Sequence, residues 1–113
     1  MDLSLLSDKQ KERLKANWGE KADSLACYAE VRVYDPLSPW ECYLYAMNPE
    51  DEDEVETIVK ASKMMPASLE RWYMTNILGL FNQDGEGVEV DEEYRPIRAS
   101  ELFKKLNEGT YDR

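Results

Sequence analysis

Apolar and polar residues alternate through Tyr28-Ala-Glu-Val-Arg-Val-Tyr34, with Ala29, Val31 and Val33 set between Tyr28, Glu30, Arg32 and Tyr34. That is the period of a half-buried strand. A second run from Trp40 to Met47 follows Asp35-Pro-Leu-Ser-Pro39, whose two prolines cannot donate in a ladder and so place a turn there. With the turn centred on Leu37, Val33 faces Glu41, Val31 faces Tyr43, Ala29 faces Tyr45 and Cys27 faces Met47. Those residues form a mostly apolar core side. A slip of one residue exchanges the second strand's set and makes one face wholly aliphatic, so the pattern leaves both registers open.

The remaining elements are placed by what they must cover on this hairpin. Ser7-Asp-Lys-Gln10 has the spacing of a capping box and predicts a helix to about Trp18, stopped at Gly19. Its anchors are Leu6, Leu14 and Trp18, with Leu3 as a lead-in contact, a stripe thin enough to predict a helix at the edge or end of the sheet. Lys9, Lys11, Arg13 and Lys15 read as its solvated face. Past Met47 the signals conflict. Asn48-Pro49 followed by acids is a good helix start, whereas Val55, Thr57, Ile58 and Val59 are β-branched. The expectation is an acidic turn into a third strand at about Val55 to Ala61, with a helix from Pro49 to Lys63 as the alternative. Pro66 restarts the chain into a fourth strand, Leu69 to Met74, and Thr75 caps a helical turn carrying Ile77, Leu78, Leu80 and Phe81. Asn82 to Gly87 is a turn, and Val88 to Asp91 an edge strand. Ser100 caps a last helix through Leu106, packing by Leu102, Phe103 and Leu106 and stopped by Gly109. The whole, residues 1–113, predicts a single α+β domain. It has a mainly antiparallel sheet of four to five strands, with the N-terminal and C-terminal helices on one face.

Composition narrows the chemistry. The chain has 113 residues, enough to remove about two-thirds of its unfolded surface from water. It has no histidine, so neither a Cys/His pair nor a Ser/His/Asp triad can be built. The predicted register puts Cys27 and Cys42 about five residues apart on opposite faces, beyond the ~4.4–6.8 Å that a disulfide spans. They read as reduced, buried thiols in a cytoplasm. Two cysteines without histidine supply too few ligands for a conventional zinc site. No apolar run approaches the ~20 residues of a membrane span, and Ser7, Asp8 and Lys9 interrupt any signal peptide. The expectation is a chain that stays in the cytoplasm and carries no metal or cofactor.

Several segments in order resemble a small uncharacterised family encoded on bacterial plasmids, integrative elements and phages. They are Leu5-Leu6 before a short helix, Val31 to Pro36 as a Val-x-Val-Tyr-Asp-Pro strand end, and Trp40 opening the next strand. Asn48-Pro-Glu-Asp, Met65-Pro66 and Gly87-Val-Glu-Val-Asp follow. Where that family carries Gly-rich stretches between the third and fourth strands, this chain has Lys-Ala-Ser-Lys-Met-Met65. The resemblance implies a small α+β fold and a mobile-element context, and it assigns no activity.

Charge is the strongest functional signal. There are 24 acids against 14 bases, a net charge of -10, which disfavours direct nucleic-acid binding. Half of the acids sit in two clusters. The first is Glu50, Asp51, Glu52, Asp53, Glu54 and Glu56; the second is Asp84, Glu86, Glu89, Asp91, Glu92 and Glu93. An extended run sets one carboxylate per ~3.3 Å, near the ~3.4 Å phosphate spacing of a DNA strand. Such a surface can occupy a basic groove evolved for nucleic acid. The expectation is a non-enzymatic, acidic protein-binding module. In its sharper form it is a nucleic-acid mimic that inhibits a host DNA- or RNA-binding enzyme, an anti-restriction or anti-CRISPR type of action, with the partner offering a basic surface. The bland reading gives the acids only a solubilising role. The alternative is an accessory or assembly protein that binds its partner through an apolar aromatic surface, Trp40, Leu44 and Trp72. Asn82 to Glu93 imitates an EF-hand loop, but Glu89 stands where an apolar residue is usual and Arg95-Pro96 stops the exiting helix, so a solvated turn is the reading. Glu30 with Glu41 can be drawn as a hydrolytic pair, but no pocket follows from the sequence.

Overall fold

The computed structural model describes residues 6–79 and 87–111. Helix α1 (Asp8–Asn17) starts where the spacing predicts: Ser7 Oγ accepts from the Gln10 amide, and Gln10 Oε1 accepts from the Ser7 amide. A short helix α2 (Glu20–Asp23), not foreseen in the sequence, follows Gly19, whose φ of 100° lets the chain reverse there. Strands β1 (Tyr28–Ala29), β2 (Val31–Tyr34), β3 (Glu41–Asn48), β4 (Asp51–Lys60) and β5 (Ser68–Tyr73) come next, then α3 (Met74–Gly79). Edge strand β6 (Glu89–Val90), β7 (Ile97–Arg98) and α4 (Ala99–Glu108) complete the described chain.

The main sheet has the order β5-β4-β3-β2-β6, antiparallel throughout, and β1 pairs with β7 in a separate two-stranded ladder. The fold is α+β. What reads in sequence as one strand from Tyr28 to Tyr34 is therefore divided at Glu30, because Tyr28 and Ala29 pair with Arg98 and Ile97 while Val31 onward pairs with β3. Of the acidic run only Glu50 lies in a turn; the rest is the first half of β4, which begins at Asp51 and makes the helical alternative for Pro49 to Lys63 untenable.

The hairpin register is corrected by one residue. Val31 faces Leu44 and Val33 faces Cys42, while Arg32 faces Tyr43 and Tyr34 faces Glu41. This choice gathers Val31, Val33, Cys42 and Leu44 with Val55 and Val59 into a single apolar core, and it sets the Arg32 charge beside Glu41 on the other face. At Tyr45 the β3–β4 register shifts, from Leu44 opposite Thr57 to Ala46 opposite Glu56. The bulge turns both Tyr45 and Ala46 to the second core and sends Met47 to the first.

Both faces of the sheet are covered, which is why β3 is buried along seven consecutive residues. Leu6 just before α1, Leu14 within it, and Met74 and Ile77 of α3 join the first core. Leu102 and Leu106 of α4, Ala22 of α2, and Cys27, Ala29, Tyr43, Tyr45 and Ile58 make the second. The two terminal helices thus serve different cores, not one face as the sequence suggested. A sheet with apolar residues on both sides must be covered twice. Helix α4 starts one residue before Ser100, since the Ala99 amide is drawn to the Cys27 carbonyl (2.8 Å) and Ser100 falls inside the first turn. It ends at Gly109 in the left-handed region, as read from the sequence. Both cysteines are buried and unbonded, one in each core. Leu3, Leu80, Phe81 and the residues 82–86 of the EF-hand-like turn, Asp84 and Glu86 included, lie outside the described residues.

Candidate functional site

The first acidic cluster lies at the β3–β4 hairpin and along β4. The tip is a tight turn, with Asn48 Oδ1 accepting from the Glu50 amide at 2.9 Å and Asn48 opposite Asp51. From there inward the acids are taken up by the chain itself. Glu52 pairs with Lys15 and with Lys11, and the Lys15 ammonium holds its carboxyl below the usual carboxylate range. Asp53 receives the Thr75 amide (2.9 Å) and hydroxyl (3.0 Å), and so caps the first turn of α3 from a neighbouring strand. Arg71 spans Glu54 (3.1 Å) and Glu56 (2.7 Å) while its guanidinium lies over the Trp18 ring. Among the described residues of this cluster, Glu50 and Asp51 are left exposed without a base or a helix to cap.

The second cluster sits elsewhere. Glu89, Glu92 and Glu93 are exposed, and Asp91 is bound to Arg32 at 2.9 Å. The Asp91 amide bonds to the Arg32 carbonyl, and Arg32 is opposite Tyr43, whereas the hairpin tip begins at Asn48. The hairpin tip is thus offset from Asp91 by about 17 Å along the strands, and β4 lies three strand spacings, about 14 Å, across from β6. The two clusters do not merge into one array of carboxylates.

The predicted aromatic surface is interior. Trp40 and Leu44 are buried, because the corrected register turns them to the face that α1 and α3 cover. Trp72 is half-buried against the Trp40 ring (6.3 Å, 72°) and donates its indole N–H to Glu70 at 3.0 Å. None of the three forms an open docking surface. Among the described residues the large exposed apolar side chains are others: Met64 at 93%, Leu37 at 69%, Met65 at 54%, Tyr28 at 48%, Tyr73 at 47% and Leu69 at 46%. Leu69 and Tyr73 flank Arg71 on one face of β5, the terminal strand of the sheet. The signal for them was the alternation Leu69-x-Arg71-x-Tyr73, which shows an edge strand only once β5 has a single neighbour.

Sequence reasoning missed a polar network inside the second face. Arg32 is buried and reaches Glu41 through Nε and Nη2 (both 3.5 Å) and Asp91 through Nη1, and it stacks over the Tyr34 ring at 4.6 Å. Burial works against its charge, but Glu41 and Asp91 outweigh it and raise its pKa. Tyr43 donates its hydroxyl to Glu41; burial, then that bond, push its pKa well up. The rings of Tyr94 (5.7 Å) and Tyr111 (6.0 Å) pack on Tyr43. Two clefts open on either side of this group. One of about 720 Å³ runs between the β2–β3 connection, Lys60 to Lys63 and the end of α4. The other, of about 640 Å³, is lined by Asp91, Glu93 and Tyr94 to Ile97. Arg32 and Tyr111 line both. The hydrolytic pair drawn from the sequence does not assemble here: Glu41 is committed to Arg32 and Tyr43, while Glu30 is absent from the lining of both clefts.

Among the described residues, no three His, Cys, Asp or Glu side chains converge as a metal site, and no helix is long and apolar enough to cross a membrane. Comparison of the chain with family models, with curated proteins and with solved structures finds no match in any of the three. The resemblance to a mobile-element family has no counterpart among them.

Proposed function

We propose that this protein is a non-enzymatic protein-binding module that receives an extended, basic segment of a partner protein along β5. The observation that carries the reading is that β5 closes the described sheet with one strand neighbour while holding Leu69 and Tyr73 half-exposed on one face. An edge strand offers unpaired N–H and C=O groups, and proteins usually guard such an edge with charged side chains, proline or a bulge. Ser68 to Tyr73 has no proline or bulge, its two charges are engaged within the chain, Glu70 by Ser68 and Trp72 and Arg71 by Glu54 and Glu56, and its ladder with β4 is regular over six pairs. A partner strand added there gains backbone hydrogen bonds, and alternate side chains of it meet Leu69 and Tyr73. The preference for a basic partner follows from the net charge of -10 and from Glu50 and Asp51, which project past the Tyr73 end of β5. The two buried, unbonded thiols agree with a reducing compartment, the cytoplasm.

The second reading keeps the nucleic-acid-mimicking inhibitor and rests on the exposed carboxylates of Glu50, Asp51, Glu89, Glu92 and Glu93, which make no ion pair among the described residues. It has two small acidic patches to work with, since Glu52, Glu54 and Asp91 are neutralised internally. One experiment separates the readings: capture from cell lysate with wild type, with Leu69→Lys/Tyr73→Lys and with Glu50→Gln/Asp51→Asn, each across a salt series. Edge docking predicts a partner lost in the β5 variant and only moderately weakened by salt, since backbone pairing and the Leu69 and Tyr73 contacts carry it. Mimicry predicts loss in the acid variant and a steep fall with salt. A partner retained equally by both variants refutes both.

A further inference from the structure

We infer that the cleft between the β2–β3 connection and the end of α4 is a binding site for a small oxyanion, carboxylate or phosphate, carried on a planar ring. Its volume, about 720 Å³, lies within the ~300–1,000 Å³ of small-molecule sites. The charge lining it runs against the rest of the chain. Arg32, Lys60, Lys63 and Lys105 face Asp35, Glu41 and Glu108 across the cleft, a local balance of 4 − 3 = +1, which leaves −10 − 1 = −11 for the remainder. The lysines of this lining favour an anion relative to the acidic bulk of the chain, although Asp91, bound to Arg32 from the neighbouring cleft, offsets part of that charge. Its acids are less available than the count implies. Asp35 accepts the Leu37 amide at 3.0 Å, and Glu41 holds Arg32 and Tyr43.

The bases keep capacity. Three of the five guanidinium N–H donors of Arg32 are engaged by carboxylates, two of them at a long 3.5 Å, so N–H groups remain for an incoming oxyanion. Lys60 donates to the Met65 carbonyl, Lys105 pairs with Glu101 at 3.3 Å, and Lys63 is exposed without an ion pair among the described residues. The ring of the ligand is assigned from the walls: Tyr34, Trp40 and Tyr111 line the same cleft, and Arg32 already stacks on Tyr34. The site is independent of β5, none of whose residues line it.

The test is an NMR titration of the full chain with phenyl phosphate, benzoate and inorganic phosphate at constant ionic strength. It is run on wild type, on Lys60→Gln/Lys63→Gln and on Lys9→Gln/Lys21→Gln, which removes the same charge from exposed positions on α1 and α2, helices that do not line the cleft. Saturable shifts at Arg32, Lys63 and Tyr111 are expected with phenyl phosphate or benzoate. The affinity should fall about tenfold in the cleft variant and hold in the control. No saturation with any probe overturns the proposal. So does an equal loss in both double variants, or binding undiminished in the cleft variant. Inorganic phosphate binding as tightly as phenyl phosphate removes the ring from the assignment and overturns it in this form. Each variant's far-ultraviolet circular dichroism checks that the fold is intact.

Discussion

Replacing Arg32 by methionine keeps most of the side chain's apolar length and deletes the one charge that holds two carboxylates under the sheet. The Arg32 and Glu41 side chains are each 10% exposed and Asp91 is 23% exposed, so Glu41 is stranded in a nearly dry site while Asp91 can turn to water. Leaving one partner of a buried pair uncompensated costs about 3–5 kcal/mol. That is a large share of the ~5–15 kcal/mol that a domain of this kind holds, and corresponds to a fall in Tm of roughly 12–20 °C. Adding Glu41→Gln removes the stranded charge and still offers an oxygen to the Tyr43 hydroxyl, so the double variant should recover about 2 kcal/mol. Urea unfolding followed by tryptophan fluorescence, with wild type, both single variants and the double, gives the cycle directly. A loss below about 1 kcal/mol in Arg32→Met, or no recovery in the double variant, refutes the claim that this network is buried and paired.

Three further outcomes follow from the same geometry. Ser7→Ala removes the oxygen that takes the Gln10 amide and should cost about 1 kcal/mol in urea unfolding, with Ser7→Gly costing less. Burial, then the nearby Glu56 charge, push the Tyr45 hydroxyl up to about 12 from an ordinary 10. The unfolded chain therefore loses this proton first as pH rises. The contribution is intact below pH 10 and is lost as pH climbs toward 12, so tyrosinate absorbance should rise together with unfolding, and Tyr45→Phe should soften the dependence. Burial, then Glu30, raise the pKa of Cys27, and burial, then Glu41, raise that of Cys42. Both thiols should react slowly with a disulfide reagent at neutral pH and rapidly once the chain is unfolded; quick native labelling of Cys42 would contradict its place in the first core.

The misplaced acids and aromatics share one cause. The sequence shows that Glu52, Asp53, Glu54 and Glu56 are acidic, but not that Lys15, Thr75 and Arg71, from 15 to 37 positions away, stand beside them. Nor does it show that Trp40 and Leu44 turn inward. That depends on a one-residue choice in pairing, made by whichever register buries more apolar surface and sets Arg32 against Glu41.

Local chemistry was enough for the Ser7 capping box, the Gly109 stop, the strand character of Val55 to Val59 and the absence of histidine catalysis, because each is settled within one helical turn or by composition alone. The division of the first strand at Glu30, the bulge at Tyr45, the two separate cores and the Arg32 cleft were decided by the tertiary structure. They arise from contacts between distant segments competing to cover both faces of one sheet, and the free energy that selects among them exists only when the chain is folded.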